Sequence, residues 1–336
     1  MLPDSAQIQP AGEPKSSCCD IICFAVKLLT LGTAMQITEV ARNTFLLTYA
    51  PDTPFSINEV AYLLVEDRVS VLIEPGSTTT ASRLLSSFKE LGVDPGNIAY
   101  IIPTHIHVDH GGGSGFLSQN LPNARVVLHP RGAVHMTEPS KLINSTRLVF
   151  GNDFEKSFGS ILAVPEKQIH IAEDGETIRL GKRELKILFS PGHASHHISI
   201  LDSSTQGIFC GEALGVIPDN MPDFPLPAAV PPFDLQLYLA TMDKLDHLRP
   251  KLLFYSHCGI RTNAQKLIEQ AKMNATAFGQ IVQKALQAGE DPQKIWLLLS
   301  EYVKGYFPEA DLPEQYQLIL SGYLSYFSNP QSNLRK

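Results

Sequence analysis

The sequence predicts an α/β fold in which a strand-rich core is followed by a helical C-terminal segment. Two observations predict it. Apolar runs typical of strands, separated by turn residues, dominate residues 35–262, whereas helical periodicity dominates residues 263–336. A hydrophobic fraction of 43% and a charged fraction of 18% are typical of a chain that buries a large core. We therefore expect a core domain at 35–262, a helical extension at 263–336 and a dispensable N-terminal extension at 1–34.

The individual elements follow from short apolar runs and helical spacing. A strand-like run begins at Met35, and the other predicted strands are residues 44–48, 59–65, 69–73, 99–102, 125–128, 169–172, 184–189, 197–201, 207–210 and 251–255. Helices are predicted at residues 79–91, 234–248, 263–288, 291–305 and 312–327. Asp291 is the expected N-cap of its helix, and residues 144–156 are ambiguous between helix and loop.

Composition excludes several classes of function. A net charge of -7 and a pI near 5.9 argue against a nucleic-acid partner. Five cysteines without regular spacing do not describe a disulfide framework, so a cytoplasmic location is expected. The only candidate membrane segment, residues 21–35, is too short to span a bilayer and contains Lys27. Palmitoylation of Cys18, Cys19 or Cys23 is left open as an alternative role for the N-terminal extension.

One short segment carries most of the chemistry that the sequence offers. Four side chains able to bind a metal ion follow the strand predicted at 99–102 and precede three glycines: His105, His107, Asp109 and His110. Neutral imidazoles and carboxylates are ligands that zinc, iron and manganese accept. The whole chain has 11 histidines in 336 residues, so a merely polar surface loop is a poor explanation for three within six positions. The motif predicts a metal site.

Further ligand-type residues follow other predicted strands, each close to a glycine that lets the backbone turn. They are His193 after residues 184–189, Glu212 after 207–210 and His257 after 251–255. An isolated histidine is more often a satisfied polar residue than a ligand, but the recurrence at strand ends favours ligands. His196 and His197 compete with His193 for this role. The Pro-Gly-His turn favours His193, and His197 is better placed to begin the next strand.

These motifs, in this order along the chain, resemble the metallo-β-lactamase superfamily in its His-x-His-x-Asp-His branch, which includes glyoxalase II, lactonases and an alkylquinolone-pathway thioesterase. The resemblance covers about residues 35–260. It implies an αββα four-layer sandwich with the site at one edge. It also implies that His105, His107 and His193 hold one ion, that Asp109, His110 and His257 hold a second, and that the carboxylate of Glu212 bridges both.

Two positions depart from the family pattern. Glu212 stands where the family usually carries aspartate, so its longer side chain must reach the bridging position at a different angle. Glu74 also stands where an aspartate normally holds the site in place, and we expect it to do the same. Both replacements keep the charge, so neither argues against an active site.

The expected reaction is hydrolysis of an ester-like acyl bond, in a thioester, a lactone or a carboxylic ester. Two divalent cations, with zinc favoured over iron or manganese, would lower the pKa of a shared water to give a bridging hydroxide, and would polarise the substrate carbonyl. Asp109 would pass the proton to the leaving group. No cysteine nucleophile is needed, and Cys210 and Cys258 are interpreted as small core residues.

Two alternatives belong to other classes of protein. Glutamate at a metal-ligand position also occurs in diiron members of this fold that activate oxygen, and Glu212 resembles that change. Against an oxidoreductase, the chain has no flavin-binding motif and no electron-delivering cysteines. The second alternative is a non-catalytic effector or ligand-binding protein, against which the retention of every ligand-type residue argues.

The expected partner is a small acyl substrate, and a homodimer is left open. One candidate pocket wall is the proline-rich segment 218–232, named the proline loop below, with Phe224 inside it and Phe233 after it. The other is the helical extension, whose aromatic residues are Phe278, Trp296, Tyr302, Tyr306 and Phe307. Packing onto the core is the simpler interpretation of most of these aromatic side chains. An apolar roof would suit an acyl group better than a β-lactam or a phosphodiester.

Overall fold

The computed structural model describes residues 35–49, 58–309, 312 and 316–328. The predicted extension at 1–34, with Cys18, Cys19 and Cys23, lies outside these residues. No helix within the described ranges is both long enough and apolar enough to cross a bilayer.

The first sheet has seven strands that lie side by side in chain order. They are β1 (Gln36–Ala41), β2 (Thr44–Tyr49), β3 (Glu59–Glu66), β4 (Val69–Ile73), β5 (Ile98–Ile102), β6 (Arg125–Leu128) and β7 (Ile169–Ile171). Strands β1 to β4 pair antiparallel, and β4 to β7 pair parallel. The accompanying helices are α1 (Thr78–Glu90), α2 (Ser114–Asn120), α3 (Pro130–Thr137), α4 (Ser140–Phe150) and α5 (Phe154–Phe158).

The second sheet has six strands in the order β13-β12-β11-β10-β9-β8. They are β8 (Thr177–Leu180), β9 (Arg183–Phe189), β10 (Ile198–Asp202), β11 (Gly207–Gly211), β12 (Leu252–Tyr255) and β13 (Gly259–Arg261). Only the pair β11 and β12 is parallel, and α6 (Leu235–His247) is the crossover helix between them. Among the described residues, β13 is followed by α7 (Ala264–Gln287), α8 (Pro292–Lys304) and α9 (Gln317–Ser328).

Alternation of side chains along the strands divides the core into three layers. In β3, Tyr62 and Leu64 point between the two sheets, whereas Leu63 points towards the helices that cover the first sheet. In β12, Phe254 points between the sheets, and Leu253 packs with the helices that cover the second sheet. Both sheets are therefore buried on both faces. The architecture is the predicted αββα sandwich, with the helical extension in its outermost layer.

Most predicted elements are present, and the exceptions are short. Strands β8 and β13 were not predicted, and neither were helices α2 and α3, which have 7 and 8 residues. The ambiguous stretch 144–156 is helical for most of its length, since it contains the end of α4 and the start of α5. The N-cap prediction is confirmed, because the side chain of Asp291 accepts a hydrogen bond from Lys294 N–H.

Candidate metal centre

The segment after β5 forms one wall of the centre. Strands β4 and β5 are parallel neighbours, so the residues that follow them emerge at the same edge of the sheet. The chain then folds back on itself so tightly that a Cβ atom at Gly112 would lie 2.3 Å from the carbonyl oxygen of Val108. Only glycine fits there. The segment brings His105, His107, Asp109 and His110 together with residues that follow strands of the second sheet, whereas Ile106 and Val108 pack into the core beside the first sheet.

Three imidazole nitrogens converge in the first half of the centre. His105 Nε2 lies 2.9 Å from His107 Nδ1 and 3.2 Å from His193 Nε2, and the latter two nitrogens are 3.1 Å apart. Glu212 Oε2 completes the group, at 2.9 Å from His193 Nε2 and 3.4 Å from His105 Nε2. Zinc holds nitrogen at about 2.0–2.1 Å, which places the ligand atoms of a tetrahedral site about 3.3 Å apart. The four atoms therefore match the spacing of a zinc site.

The second half of the centre is assembled from Asp109, His110 and His257. Asp109 Oδ2 lies 3.5 Å from His110 Nε2 and 3.8 Å from His257 Nε2. One ligand atom of each residue lies within 4.8 Å of the others, so the three can share a metal ion. His110 Nε2 is buried and has no hydrogen-bond partner. A buried polar atom without a partner is costly, and a cation in this group would satisfy it.

The carboxylate of Glu212 faces both halves. Its Oε2 atom contacts the first group and lies 3.5 Å from His110 Nε2, while its Oε1 atom lies 3.9 Å from His257 Nε2. The side chain is 13% exposed, so it is largely buried between the two groups. The longer side chain of Glu212 therefore places one carboxylate between the two groups.

Hydrogen bonds on the far side of each ring fix which nitrogen faces the centre. His193 Nδ1–H donates to the carbonyl of Ala228 at 2.7 Å, and His257 Nδ1–H donates to the carbonyl of Asn58 at 2.8 Å. His105 Nδ1–H donates to the hydroxyl of Thr104 at 3.1 Å. Their Nε2 atoms are therefore left with lone pairs that face one another. Facing lone pairs repel, so these residues fit a bound cation better than an empty site.

Glu74, which was expected to hold the site in place, lies beside His110. Its Oε2 atom accepts from His110 Nδ1–H at 3.2 Å, and its Oε1 atom accepts from the hydroxyls of Thr104 at 2.5 Å and Ser256 at 2.7 Å. Glu74 is a non-glycine residue with a φ of 57°, a conformation that costs energy and is often found at functional sites. It connects the segments after β5 and β12 through one buried carboxylate.

The electrostatics of the centre favour a cation. Burial and the neighbouring imidazoles lower the pKa values of His105 and His107 well below the usual range, so both rings are neutral and can act as ligands. Burial alone would raise the pKa of Glu212, but the surrounding imidazoles hold it well below the usual range. Burial alone would lower the pKa of His110, whereas the charge of Asp109 helps to raise it well above the usual range. A divalent ion can replace that proton.

His196 and His197 were the competing candidates, and neither belongs to the two groups. His197 is fully buried, and its Nε2 atom accepts from Glu212 N–H at 3.2 Å. Its other nitrogen donates to the hydroxyl of Ser190 at 2.7 Å. His197 thus positions the backbone of Glu212. The ring of His196 lies 5.7 Å from the ring of His107, beside the first group.

The two described cysteines stand apart from the ligand groups. Cys210 is fully buried, as predicted for a small core residue. Cys258 is only half-buried, and its sulfur accepts from Ile217 N–H at 3.0 Å, so it supports the start of the segment that leads into the proline loop. The core interpretation therefore holds fully for Cys210 and in part for Cys258.

The aromatic residues of the helical extension pack against the proline loop. Phe278 is fully buried, and Phe224 contacts the rings of Tyr306 at 4.9 Å and Phe307 at 5.4 Å between centroids. Phe233 packs in the same way against Tyr323 of α9, at 5.1 Å. These contacts join the loop to the helices. A role of either element as a wall of the substrate pocket stays a prediction.

Sequence reasoning missed the groups that orient the ligands. The carbonyls of Ala228 and Asn58 carry no side-chain signature, because any residue supplies a backbone oxygen. Tyr238 was also missed. Its hydroxyl donates to the carbonyl of Glu212 at 3.1 Å and accepts from Ala228 N–H at 3.2 Å. A helical residue in α6 gives no local sign of such a contact.

A comparison with protein families decides the classification. The model of the metallo-β-lactamase superfamily matches residues 57–257, which is more than half of the chain. The chain belongs to the metallo-β-lactamase superfamily. The match ends at His257, so it includes every residue of the two ligand groups and excludes the helical extension.

Individual members of the superfamily differ in activity. The chain is 30% identical over 149 residues to human persulfide dioxygenase ETHE1 and 24% identical over 180 residues to a hydroxyacylglutathione hydrolase from Synechococcus. These matches cover 44% and 54% of this chain, and 44% and 52% of the relatives, so the chain spans about half the length of each. The solved structure of a metallo-β-lactamase family protein from Thermus thermophilus is similar with a TM-score of 0.65 and 22% identity, covering 86% of this chain and 94% of that one. It shares the fold.

Proposed function

We propose that this superfamily member is a binuclear metal-dependent hydrolase of an ester-like acyl bond, in a thioester, a lactone or a carboxylic ester. One observation carries the proposal. The carboxylate of Glu212 faces two adjacent ligand groups at once, with Oε2 at 2.9 Å from His193 Nε2 and Oε1 at 3.9 Å from His257 Nε2. That arrangement suits two cations a short distance apart, and the hydroxyacylglutathione hydrolase relative supports an acyl substrate.

The residues of this chain have distinct tasks in such a reaction. Two divalent cations, when bound, supply an activated water and polarise the substrate carbonyl. The hydrogen bonds on the far nitrogens of His105 and His193 turn their Nε2 atoms towards the centre, so these two imidazoles would hold the first position. Asp109 has a side chain that is 12% exposed, and it lies where the centre opens to solvent. Its free oxygen is the group best placed to carry a proton to the leaving group.

The metal identity is part of the proposal. Histidine and carboxylate ligands with the spacing of the first group suit zinc, and they accept iron or manganese as well. Elemental analysis of aerobically purified protein, combined with an optical spectrum, separates colourless zinc from coloured iron. We expect about two zinc ions per chain.

The test of the reaction is a panel of acyl-CoA, homoserine lactone and nitrophenyl ester substrates, assayed with zinc, manganese and iron. We expect turnover of at least one class, and a loss of more than about 100-fold in kcat/KM for His107→Ala and Glu212→Gln. His247→Ala is the matched control, since that histidine is exposed on α6 and should leave activity unchanged. Absence of turnover with every metal would refute the hydrolase, and a fully active His107→Ala would refute the ligand assignment.

A second candidate is an oxygen-activating reaction on iron. The similarity to the persulfide dioxygenase and the glutamate at the bridging position favour it, and a mixture of histidine and carboxylate ligands suits iron as well as zinc. Oxygen consumption by iron-loaded protein with a low-molecular-weight persulfide, in the absence of any acyl hydrolysis, would support this candidate over the hydrolase.

A further inference from the structure

One residue of the proline loop, Ala228, supports two ligands of the centre through its backbone. The carbonyl of Ala228 accepts from His193 Nδ1–H at 2.7 Å and so directs His193 Nε2 towards the first group. The amide of Ala228 donates to the hydroxyl of Tyr238 at 3.2 Å, and that hydroxyl donates to the carbonyl of Glu212 at 3.1 Å. The positions of His193 and Glu212 therefore both depend on where Ala228 lies.

A buried amide of the helical extension holds the same loop from its other side. Asn274, in the middle of α7, is fully buried, and its Nδ2 donates to the carbonyl of Pro225 at 2.7 Å. Its Oδ1 accepts from the hydroxyl of Tyr302 at 3.0 Å and from the side chain of Gln270 at 2.9 Å. An apolar residue would pack α7 on the core without this need for partners. The contact with the loop best explains the asparagine.

Helix α9 adds a contact at the next residue of the loop, Ala229. A Cβ atom at Gly322 would lie 2.5 Å from the carbonyl carbon and oxygen of Ala229, so the backbone of α9 packs directly on the backbone of the loop. The loop from Pro225 to Ala229 is thus enclosed between the centre on one side and α7, α8 and α9 on the other. Such close packing transmits displacements instead of absorbing them.

We propose that Asn274 is a positioning residue through which the helical extension sets the metal affinity of the centre. It acts through the carbonyl of Pro225 on the loop, and through Ala228 on the imidazole of His193. The inference rests on the metal centre of the proposed function and is independent of the reaction assigned to it. Without the hydrogen bond from Asn274 to the carbonyl of Pro225, the loop shifts and moves the carbonyl of Ala228. That carbonyl then no longer holds the imidazole of His193, and His193 Nε2 loses its fixed position.

The test compares zinc dissociation constants, measured by competition with a chelator, for the full-length chain and three variants. Asn274→Leu keeps a branched side chain but removes the hydrogen bond to the carbonyl of Pro225. We expect this variant to weaken zinc binding by about 10-fold. Tyr302→Phe keeps the ring and removes only the hydroxyl that Asn274 accepts from, so it folds more readily and should weaken binding by a few-fold. Val282→Ala is the control, because it also opens the core at α7 but lies about two turns beyond the anchor.

A second readout needs no metal. In metal-free protein labelled with ¹⁵N-histidine, the Nδ1 proton of His193 should exchange faster with water in Asn274→Leu than in the wild type, and at the wild-type rate in Val282→Ala. If Asn274→Leu binds zinc as tightly as wild type, or if Val282→Ala weakens zinc binding as much as Asn274→Leu does, the role of Asn274 is refuted. Neither result would refute the proposed metal centre. Failure of the wild type to bind zinc, manganese or iron would overturn the proposed centre as well.

Discussion

Glu59 is a buried acid on β3 whose carboxylate has no cation beside it among its described contacts. The residue is 3% exposed, and its Oε2 atom accepts from Ser77 N–H at 2.7 Å. Burial raises its pKa from 4.5 to about 7, and the nearby charge of Asp109 contributes in the same direction. Because the pKa is higher in the folded chain, the stability that Glu59 contributes is fully present below pH 4.5 and is lost as the pH rises to 7.

Replacing Glu59 with glutamine should remove this pH dependence of the unfolding free energy. In metal-depleted protein, we expect wild type to lose about 2 to 3 kcal/mol of unfolding free energy relative to Glu59→Gln between pH 5 and pH 8. Urea unfolding of both proteins across this pH range measures the difference. A difference that does not vary with pH, or that favours wild type as the pH rises, would contradict a pKa raised to about 7 for Glu59.

At the residue scale, the sequence predicted the groups that carry chemistry but not those that orient them. The three histidines of the 105–110 motif are recognisable because rare residues are concentrated in one segment. His197 was considered as a competing ligand and as the start of a strand, but not as a residue that holds the backbone of Glu212. His196 is the same residue type at the adjacent position, so the sequence alone could not distinguish the surroundings of the two histidines.

At the scale of elements, one buried ion pair ties the two sheets together. Arg183 on β9 binds Asp202 on β10 through two hydrogen bonds of 2.8 Å, and both side chains are almost completely buried. The same guanidinium donates to the hydroxyl of Thr44 on β2 at 2.8 Å, which belongs to the other sheet. One side chain therefore satisfies polar groups of both layers at the end of the sandwich.

Removing the guanidinium of Arg183 should leave the buried carboxylate of Asp202 without its ion-pair partner. We expect Arg183→Met to lower the free energy of unfolding by about 3–5 kcal/mol. Arg179→Met is the matched control, because Arg179 pairs with Glu184 in the neighbouring part of the same hairpin but is 72% exposed, and it should cost less than about 1 kcal/mol. Urea unfolding measures both, and similar losses for the two variants would refute the special role of the buried pair.

The elements that the sequence did not reveal are short and depend on their neighbours. Strand β13 has 3 residues and pairs only with β12, so its pattern is too short to recognise. Helix α2 follows directly on the glycines of the metal motif, which usually indicate a loop. The long helix α7 was predicted within one residue at each end, because its apolar spacing extends over 24 residues.

At the scale of the whole molecule, metal binding should be linked to folding. The ligands come from the segments after β5, β9, β11 and β12, so they converge only in the folded chain. A ligand that binds only the folded state adds about 2.7 kcal/mol at 100 times its dissociation constant. We expect excess zinc to raise the Tm of protein from which a chelator has removed the metal by several degrees. Glu212→Gln should lose most of this increase in differential scanning calorimetry, and an unchanged wild-type Tm would contradict the linkage.

The order of the layers could be predicted only in part from local patterns. The strands of the two sheets are buried on both faces, so alternation along a single strand does not show which neighbour it faces. The sandwich was predicted from the order of the metal motifs, through the resemblance to the superfamily. The contact of the helical extension with the proline loop needed the coordinates, because no residue spacing reports that Asn274 reaches Pro225.

We expect seven residues from four separate segments to hold two ions in one centre. Anomalous scattering from crystals of the metal-loaded protein, recorded at the absorption edge of the bound metal, would locate these ions. We expect two peaks, one within bonding distance of His105, His107 and His193 and one within bonding distance of Asp109, His110 and His257, with Glu212 in contact with both. A single peak, or peaks away from these side chains, would contradict it.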